Sequence, residues 1–181
     1  VPNSGGTKCF SVSGHVNQPG NFEIPFGTPF SKLLALAGGV RHGHQLKAVI
    51  PGGCSLPVLP GKVMLTTRMA YDSIAKAGPM LGSGAVIVMD ETTCMVKALE
   101  RLSRFYYIES CGQCTPCREG TGWLHRMIQR IIAVRRAKGD LEKLDDVASK
   151  IDGRTICAFS DAAAWPVRSF IKHFRNEFQY Y

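Results

Sequence analysis

Lys8-Cys9-Phe10-Ser11-Val12-Ser13-Gly14-His15-Val16 alternates aliphatic or aromatic residues with others, and Asn17-Gln18-Pro19-Gly20 follows it directly. Period-two alternation marks a strand with one buried face. Pro then Gly is the order of a type II turn, so Asn21 to Pro25 is expected to return as the hairpin partner. Thr28-Pro29 then offers an N-cap and a first helical residue with φ already set. Leu33, Leu34, Leu36 and Ala37 continue a short helix that Gly38-Gly39 ends. Lys47 to Ile50 and Gly84 to Met89 are apolar enough for central strands. Hairpin, helix and further strands predict an α+β domain over residues 1–90, with a helix packed across a mixed sheet.

Beyond residue 90 the period changes. Thr92 or Thr93 can cap a helix whose Met95, Ala98, Leu99, Leu102, Phe105 and Tyr106 share a face. Arg118 to Ala137 repeats the pattern with Leu124, Ile128, Ile131 and Ile132, and Gly139 is placed to end it. Asp140 to Ile151 forms a shorter helix with Leu141, Leu144, Val147 and Ala148 inward. Pro166 is expected to open the last helix, with Val167, Phe170, Ile171, Phe174 and Phe178 on one stripe. Residues 91–181 therefore read as an all-α four-helix bundle.

A chain of 181 residues with 45% hydrophobic and 20% charged residues has enough apolar material for packed cores. No window approaches the ~20 consecutive apolar residues of a membrane helix, so no membrane insertion is expected. The start at Val1-Pro2-Asn3 lacks a Met and a leader pattern, which suggests an internal or processed chain. The net charge of +8 would suit a polyanion, but it is spread evenly: residues 1–90 carry 7 basic and 3 acidic side chains, residues 91–181 carry 15 and 11. With no long basic run, nucleic acid is not expected as a partner.

The seven cysteines are odd in number and three crowd into seven residues, which suits a reducing compartment better than a disulfide framework. Ser110-Cys111-Gly112-Gln113-Cys114-Thr115-Pro116-Cys117-Arg118 is C-x2-C-x2-C, and Cys157 follows remotely in Thr155-Ile156-Cys157-Ala158. A [4Fe-4S] cubane needs one thiolate at each iron, and x2 spacing in an irregular loop lets successive sulfurs turn inward around a compact object. Gly112 relaxes that loop, and Pro116 is expected to delay the next helix until after Cys117. Structural zinc also uses C-x2-C, yet usually in two separated pairs. A radical-generating cluster uses C-x3-C-x2-C and leaves one iron open. The set Cys111, Cys114, Cys117 and Cys157 is thus the candidate ligand set for an electron-carrying cluster. Four thiolates give such a cluster a net charge of about −2, which Arg118 and the following helix N-terminus offset. Cys9, Cys54 and Cys94 are expected as ordinary core or turn residues. His42-Gly43-His44 is a weak metal pattern, and Gly78 to Gly84 precedes a strand, so it reads as a turn rather than a phosphate cradle.

Glu109 to Gly120, together with Cys157-Ala158 and Asp161-Ala162-Ala163-Ala164-Trp165-Pro166-Val167, closely resembles the family of flavin-carrying, NADH-oxidising subunits (F-type) of respiratory complex I, NADH:quinone oxidoreductase. Ser13-Gly14-His15-Val16, Pro19-Gly20, Ala37-Gly38-Gly39-Val40 and Ile50-Pro51-Gly52-Gly53 resemble its ubiquitin-like β-grasp domain of the soluble-ligand-binding (SLBB) type. The resemblance implies the C-terminal part of such a subunit. FMN and NADH would sit on a preceding domain, and the cluster on Cys111, Cys114, Cys117 and Cys157 would receive single electrons from FMN and pass them to an adjacent iron-sulfur subunit. It implies a place on the cytoplasmic side of a bacterial inner membrane, or on the mitochondrial matrix side. NAD-linked hydrogenases and formate dehydrogenases carry the same segment, and a non-redox, metal-locked scaffold is the further alternative. The β-grasp domain shows no convergent polar site in sequence, and a docking role between flavin domain and bundle is expected for it.

Overall fold

The computed structural model describes residues 5–134 and 137–181. The chain forms two compact units, Val1–Thr93 and Cys94–Tyr181, each taken by itself below.

The first unit runs β1 (Thr7–Gly14), β2 (Gly20–Pro25), β3 (Thr28–Pro29), α1 (Phe30–Leu36), β4 (Leu46–Ile50), β5 (Leu59–Pro60), α2 (Gly61–Leu65), β6 (Arg68–Met69), α3 (Tyr71–Ala77) and β7 (Ala85–Asp90). The sheet order is β2-β1-β7-β4-β5; β1 lies parallel to β7 and every other pair is antiparallel. A hairpin beside a parallel last strand, with a helix across one face, is the β-grasp arrangement of an α+β fold. Phe10, Val12 and Ile24 from the hairpin meet Phe30 and Leu33 of α1, Ile74 of α3, and Val86 and Val88 of β7, all buried. Burying a side chain of this size is worth about 1.5–3 kcal/mol, which outweighs the modest helix propensity of so short an α1.

The expected hairpin forms, with Phe10 opposite Phe22, but without the expected type II turn. Gly20 already belongs to β2, and the left-handed residue is Gly14, at φ 88°. The connection is held from outside: Asn17 and Gln18 donate backbone N–H groups to Gly39 and Ala37 at the end of α1, and Val16 bridges Val40. Thr28 does not cap α1. Its hydroxyl donates to Pro25 O, Thr28-Pro29 pairs with Arg68-Met69, and Pro29 takes the cap position. Gly78 to Gly84 forms the expected turn, where Ser83 N–H donates to Gly52 O at 3.1 Å.

The second unit consists of α4 (Met95–Glu109), α5 (Thr115–Ile132), α6 (Asp140–Ile151) and α7 (Phe159–Tyr180). Its core is Met95, Leu99, Leu124, Ile128, Ile131, Leu144, Val167, Phe170 and Phe178. Three expectations are corrected. Cys94 rather than a threonine precedes α4, and Glu177 of α7 accepts the Met95 N–H at 3.0 Å. The buried face of α4 includes Val96 and Ser103, while Phe105 points outward. Helix α5 stops at Ile132, and Gly139 (φ 86°) precedes α6 instead of ending α5; residues 135 and 136 of the expected longer helix lie outside the described residues.

Pro166 does not open α7. The helix starts seven residues earlier, so the ring sits inside it and one backbone bond is missing, at a cost of about 3 kcal/mol. Ala162, Ala163 and Ala164 favour helix before it, and the buried Val167, Phe170, Ile171 and Phe178 after it offset the loss.

Candidate iron-sulfur site and the Asp90 cluster

The thiol segment joins α4 to α5. Ser110 is extended at the end of α4, Gly112 adopts φ 78°, and Cys114, also extended, takes the N-cap position of α5. Helix α5 therefore begins at Thr115 rather than after Cys117. Pro116 falls within the first turn, where a missing N–H costs nothing. Cys111 is exposed, Cys114 half-buried, and Cys117 is buried on the first helical turn. The loop folds back on that turn: Ser110 Oγ lies 3.3 Å from Cys117 Sγ, and Arg118 donates from Nη1 to Gly112 O at 2.9 Å. The buried Thr121 hydroxyl donates to Cys117 O at 2.8 Å and fixes the turn from below.

Cys157 stands one residue before Ala158, the N-cap of α7. Its loop is tied to that helix: Gly153 N–H donates to Asp161 Oδ1 at 2.6 Å, Thr155 and Ser160 hydroxyls pair at 2.6 Å, and Asp152 accepts from Trp165 Nε1 and Arg168. The two segments share one end of the bundle. Tyr106, near the end of α4, packs its ring 5.5 Å from that of Phe159, the first residue of α7. Gly120 of α5 lets Ile151, the last residue of α6, approach until Cγ2 is 2.5 Å from where a Cβ would stand. The C-terminal ends of α4 and α6 and the N-terminal ends of α5 and α7 thus gather on one side, with all four cysteines on their connections or first turns. None of the four is in a disulfide.

Among the described residues, no three thiol, imidazole or carboxylate side chains converge on a point that could hold a single metal ion. A cubane takes its thiolates at separate irons, so its ligands stand apart. The N-termini of α5 and α7 direct positive potential at the thiols beside them, as suits an anionic cluster, while the Arg118 guanidinium is paired with Glu119 at 3.1 Å. The donor set fits such a cluster.

Cys9 is exposed on β1 instead of buried, and Cys54 is half-buried in a turn. Neither approaches the thiol segment in sequence, and each belongs to the other unit. The buried His125 stacks on Tyr107 and keeps its Nδ1 3.6 Å from Glu100, beyond hydrogen-bond reach. Burial lowers its pKa, with the cations Arg104 and Arg126 adding to the effect and Glu100 opposing it, so the ring is neutral at physiological pH.

The first unit does contain a convergent polar cluster, contrary to expectation. Asp90, at the end of β7, is fully covered, and its carboxylate takes His15 Nδ1 at 2.8 Å, Arg41 Nε at 3.2 Å and His44 Nδ1 at 3.1 Å. It also accepts the Thr92 N–H and hydroxyl. Desolvation alone would raise the Asp90 pKa. The hydrogen bonds from Thr92, His44, His15 and Arg41 together outweigh it and hold the carboxyl far below the usual carboxylate range. Of His42-Gly43-His44, only His44 joins this carboxylate clamp; His42 meets the His44 ring edge-on at 5.7 Å. Only the His-x-His spacing signalled it; His15 and Asp90 lie 75 residues apart and are joined by the parallel β1–β7 pairing.

A folded-state pKa held below its unfolded value contributes stability that is fully present above the unfolded value and is lost progressively as pH falls from there to the folded-state value. The covering side chains are themselves partly hydrated, which limits the energy of each pair. Asp90→Asn is expected to cost about 2 kcal/mol at neutral pH. It should also flatten the fall in stability below about pH 4, the range in which an unfolded aspartate titrates. Denaturant unfolding at pH 7 and pH 3 reads both effects; parallel pH profiles for the two proteins would refute the clamp.

Residues 97–181 match the family described as the NADH-ubiquinone oxidoreductase-F iron-sulfur binding region, and residues 9–54 match the SLBB domain. The chain is 51% identical over 180 residues to the F subunit of the NADH-quinone oxidoreductase of Rickettsia bellii (strain OSU 85-389), covering 98% of this chain and 43% of that protein. The chain is thus similar to the C-terminal part of NADH-quinone oxidoreductase F subunits. The corresponding F 1 subunit of Rhizobium meliloti (strain 1021) is likewise 51% identical, with 42% of its length covered. The chain therefore spans less than half the length of these relatives and corresponds to their C-terminal part. Among solved structures, an NAD+-reducing [NiFe]-hydrogenase in the air-oxidised state superposes with a TM-score of 0.88 at 32% identity, over 99% of this chain and 30% of that one. The iron-sulfur binding region matched by residues 97–181 is of the [4Fe-4S] type.

Proposed function

We propose that the second unit is the electron-transfer module of an NADH:quinone oxidoreductase, with Cys111, Cys114, Cys117 and Cys157 as the four ligands of its [4Fe-4S] cluster. The observation that supports this most is the placing of those thiols at one end of the bundle, on or beside the N-termini of α5 and α7. When bound, the cluster supplies one-electron redox chemistry. The chain's own contribution is to hold Cys117 buried, to close the loop with Ser110 and Arg118, and to present positive potential that favours the more negative, reduced state. FMN and NADH act on a preceding domain of the parent subunit, so residues 1–181 hold the relay and do not themselves take a hydride. The flavin domain and an adjacent iron-sulfur subunit are its electron partners, on the cytoplasmic side of a bacterial inner membrane or its matrix equivalent. Among the described residues no helix is long and apolar enough to cross a membrane.

The hydrogenase likeness keeps a second reading, the same module in an NAD-linked hydrogenase. Identity of 51% to the quinone-linked subunits against 32% to the hydrogenase favours the first. Anaerobic reconstitution should give about four irons per chain and an EPR signal on reduction. Zinc in place of iron, or a cluster that takes no electron, would refute the proposal.

A further inference from the structure

A groove runs between α5 and α6 on the outside of the bundle. Its two stretches, of about 240 and 640 Å3, share Trp123 and Val147. One end is apolar, built on Pro116, Val147 and Ile151, and the tight approach of Ile151 to Gly120 closes its floor. Trp123 stands over the middle, half exposed at 51%. A large aromatic ring left in water beside an apolar channel gains most when a second surface covers it.

The other end is cationic. Lys150 is neutralised by Asp146 at 2.7 Å and Arg130 by Asp140 at 2.7 Å. Arg126 and Lys143, which line the same stretch from opposite helices, have no carboxylate within ion-pair distance among the described residues. The groove thus offers an apolar slot with an aromatic anchor, continued by two uncompensated cations. From this we infer that the α5–α6 groove is a docking site for an acidic, apolar-anchored polypeptide segment of a neighbouring subunit. Its carboxylates pair with Arg126 and Lys143, and its apolar side chain lies against Trp123 and Val147. Two cations beside an apolar floor suit an acidic peptide better than a polyanion, which needs a row of them. The inference rests on the reading of this chain as part of a multi-subunit oxidoreductase.

The test uses the assembled oxidoreductase. A photo-crosslinking amino acid at position 123 is expected to give an adduct with an acidic stretch of another subunit, located by mass spectrometry. Trp123→Ala should weaken retention of that neighbour about thirtyfold, as loss of an aromatic anchor does. Arg126→Glu with Lys143→Glu should weaken it by roughly tenfold or more and reverse the salt dependence. Lys143→Glu alone, at an exposed site, keeps the measurement informative if the double variant folds poorly. Adducts only to a second copy of this chain, or retention unchanged by charge reversal, would overturn the inference. Iron content and EPR signal measured on the same preparations should stay at wild-type level; their loss in the unmodified complex would instead count against the cluster reading.

Discussion

Replacing Cys114 by serine should strip most of the iron from the chain and lower the stability of the helical unit, whereas Cys54→Ser should leave both unchanged. Cys114 takes the N-cap position of α5 in extended conformation, with no side-chain bond to the helix. Serine is among the best N-cap residues, typically ~1 kcal/mol better than alanine, so the substitution should not harm the apo helix. Any destabilisation must then come through the metal. Thiolate ligation is coupled to folding, because the unfolded chain offers no preformed site, and a ligand lost from the native state lowers its stability by the linked binding energy. For a unit of this size each ~1 kcal/mol lost shifts Tm by about 4–8 °C. Cys54 is half-buried in a turn of the other unit and outside the ligand set. Iron per chain, acid-labile sulfide and thermal unfolding, measured on both variants after anaerobic reconstitution, decide the matter. Equal iron loss in the two would reject the ligand assignment, and a fall in Tm of Cys114→Ser without iron loss would mean that the residue acts only structurally.

The same residues show where sequence stops being legible. Thiol spacing is a local property, so the run Cys111, Cys114 and Cys117 stands out without tertiary information, whereas Cys157 is remote in the chain and no spacing ties it to the other three. The alternation of Lys8 to Val16 and the 3.6-residue pattern of Asp140 to Ile151 are likewise carried by nearest neighbours, and both elements form. The failures share one cause, which is a partner distant in the chain. The Pro19-Gly20 signal is overridden because the connection is held by the end of α1. Pro166 is tolerated inside α7 because the apolar residues on either side of it are buried against other helices. Short elements such as β5, α2 and β6 have too few residues to show a period at all. The Asp90 clamp needs β1 and β7 side by side before His15 can face the carboxylate, and no window of sequence contains that fact.

Gly14→Ala is expected to be among the most damaging small substitutions in the first unit, at a cost of about 2–5 kcal/mol. Two independent penalties meet at this position. Its φ of 88° lies in the left-handed region, where an L-residue with a Cβ pays about 1–2 kcal/mol. A Cβ would also fall inside the 3.0 Å that real Cβ atoms keep, against the backbone carbonyl oxygen of Val88. That atom cannot turn aside: it already accepts the His15 N–H at 2.8 Å and belongs to the central strand of the sheet. Relieving such a clash by moving backbone costs typically 1–3 kcal/mol. The displacement would also draw His15 away from Asp90, so part of the clamp is lost with it. Gly39→Ala separates the two penalties, since Gly39 has φ 76° but nothing within 4 Å of the added methyl. It should cost only the conformational share, about 1–2 kcal/mol. Denaturant unfolding of the two variants under identical conditions measures the difference. Equal destabilisation would show that the β1–β7 approach is not as tight as the geometry requires. A larger loss in Gly14→Ala, accompanied by a flattened acid dependence like that expected of Asp90→Asn, would show that one glycine sets both the strand pairing and the carboxylate clamp.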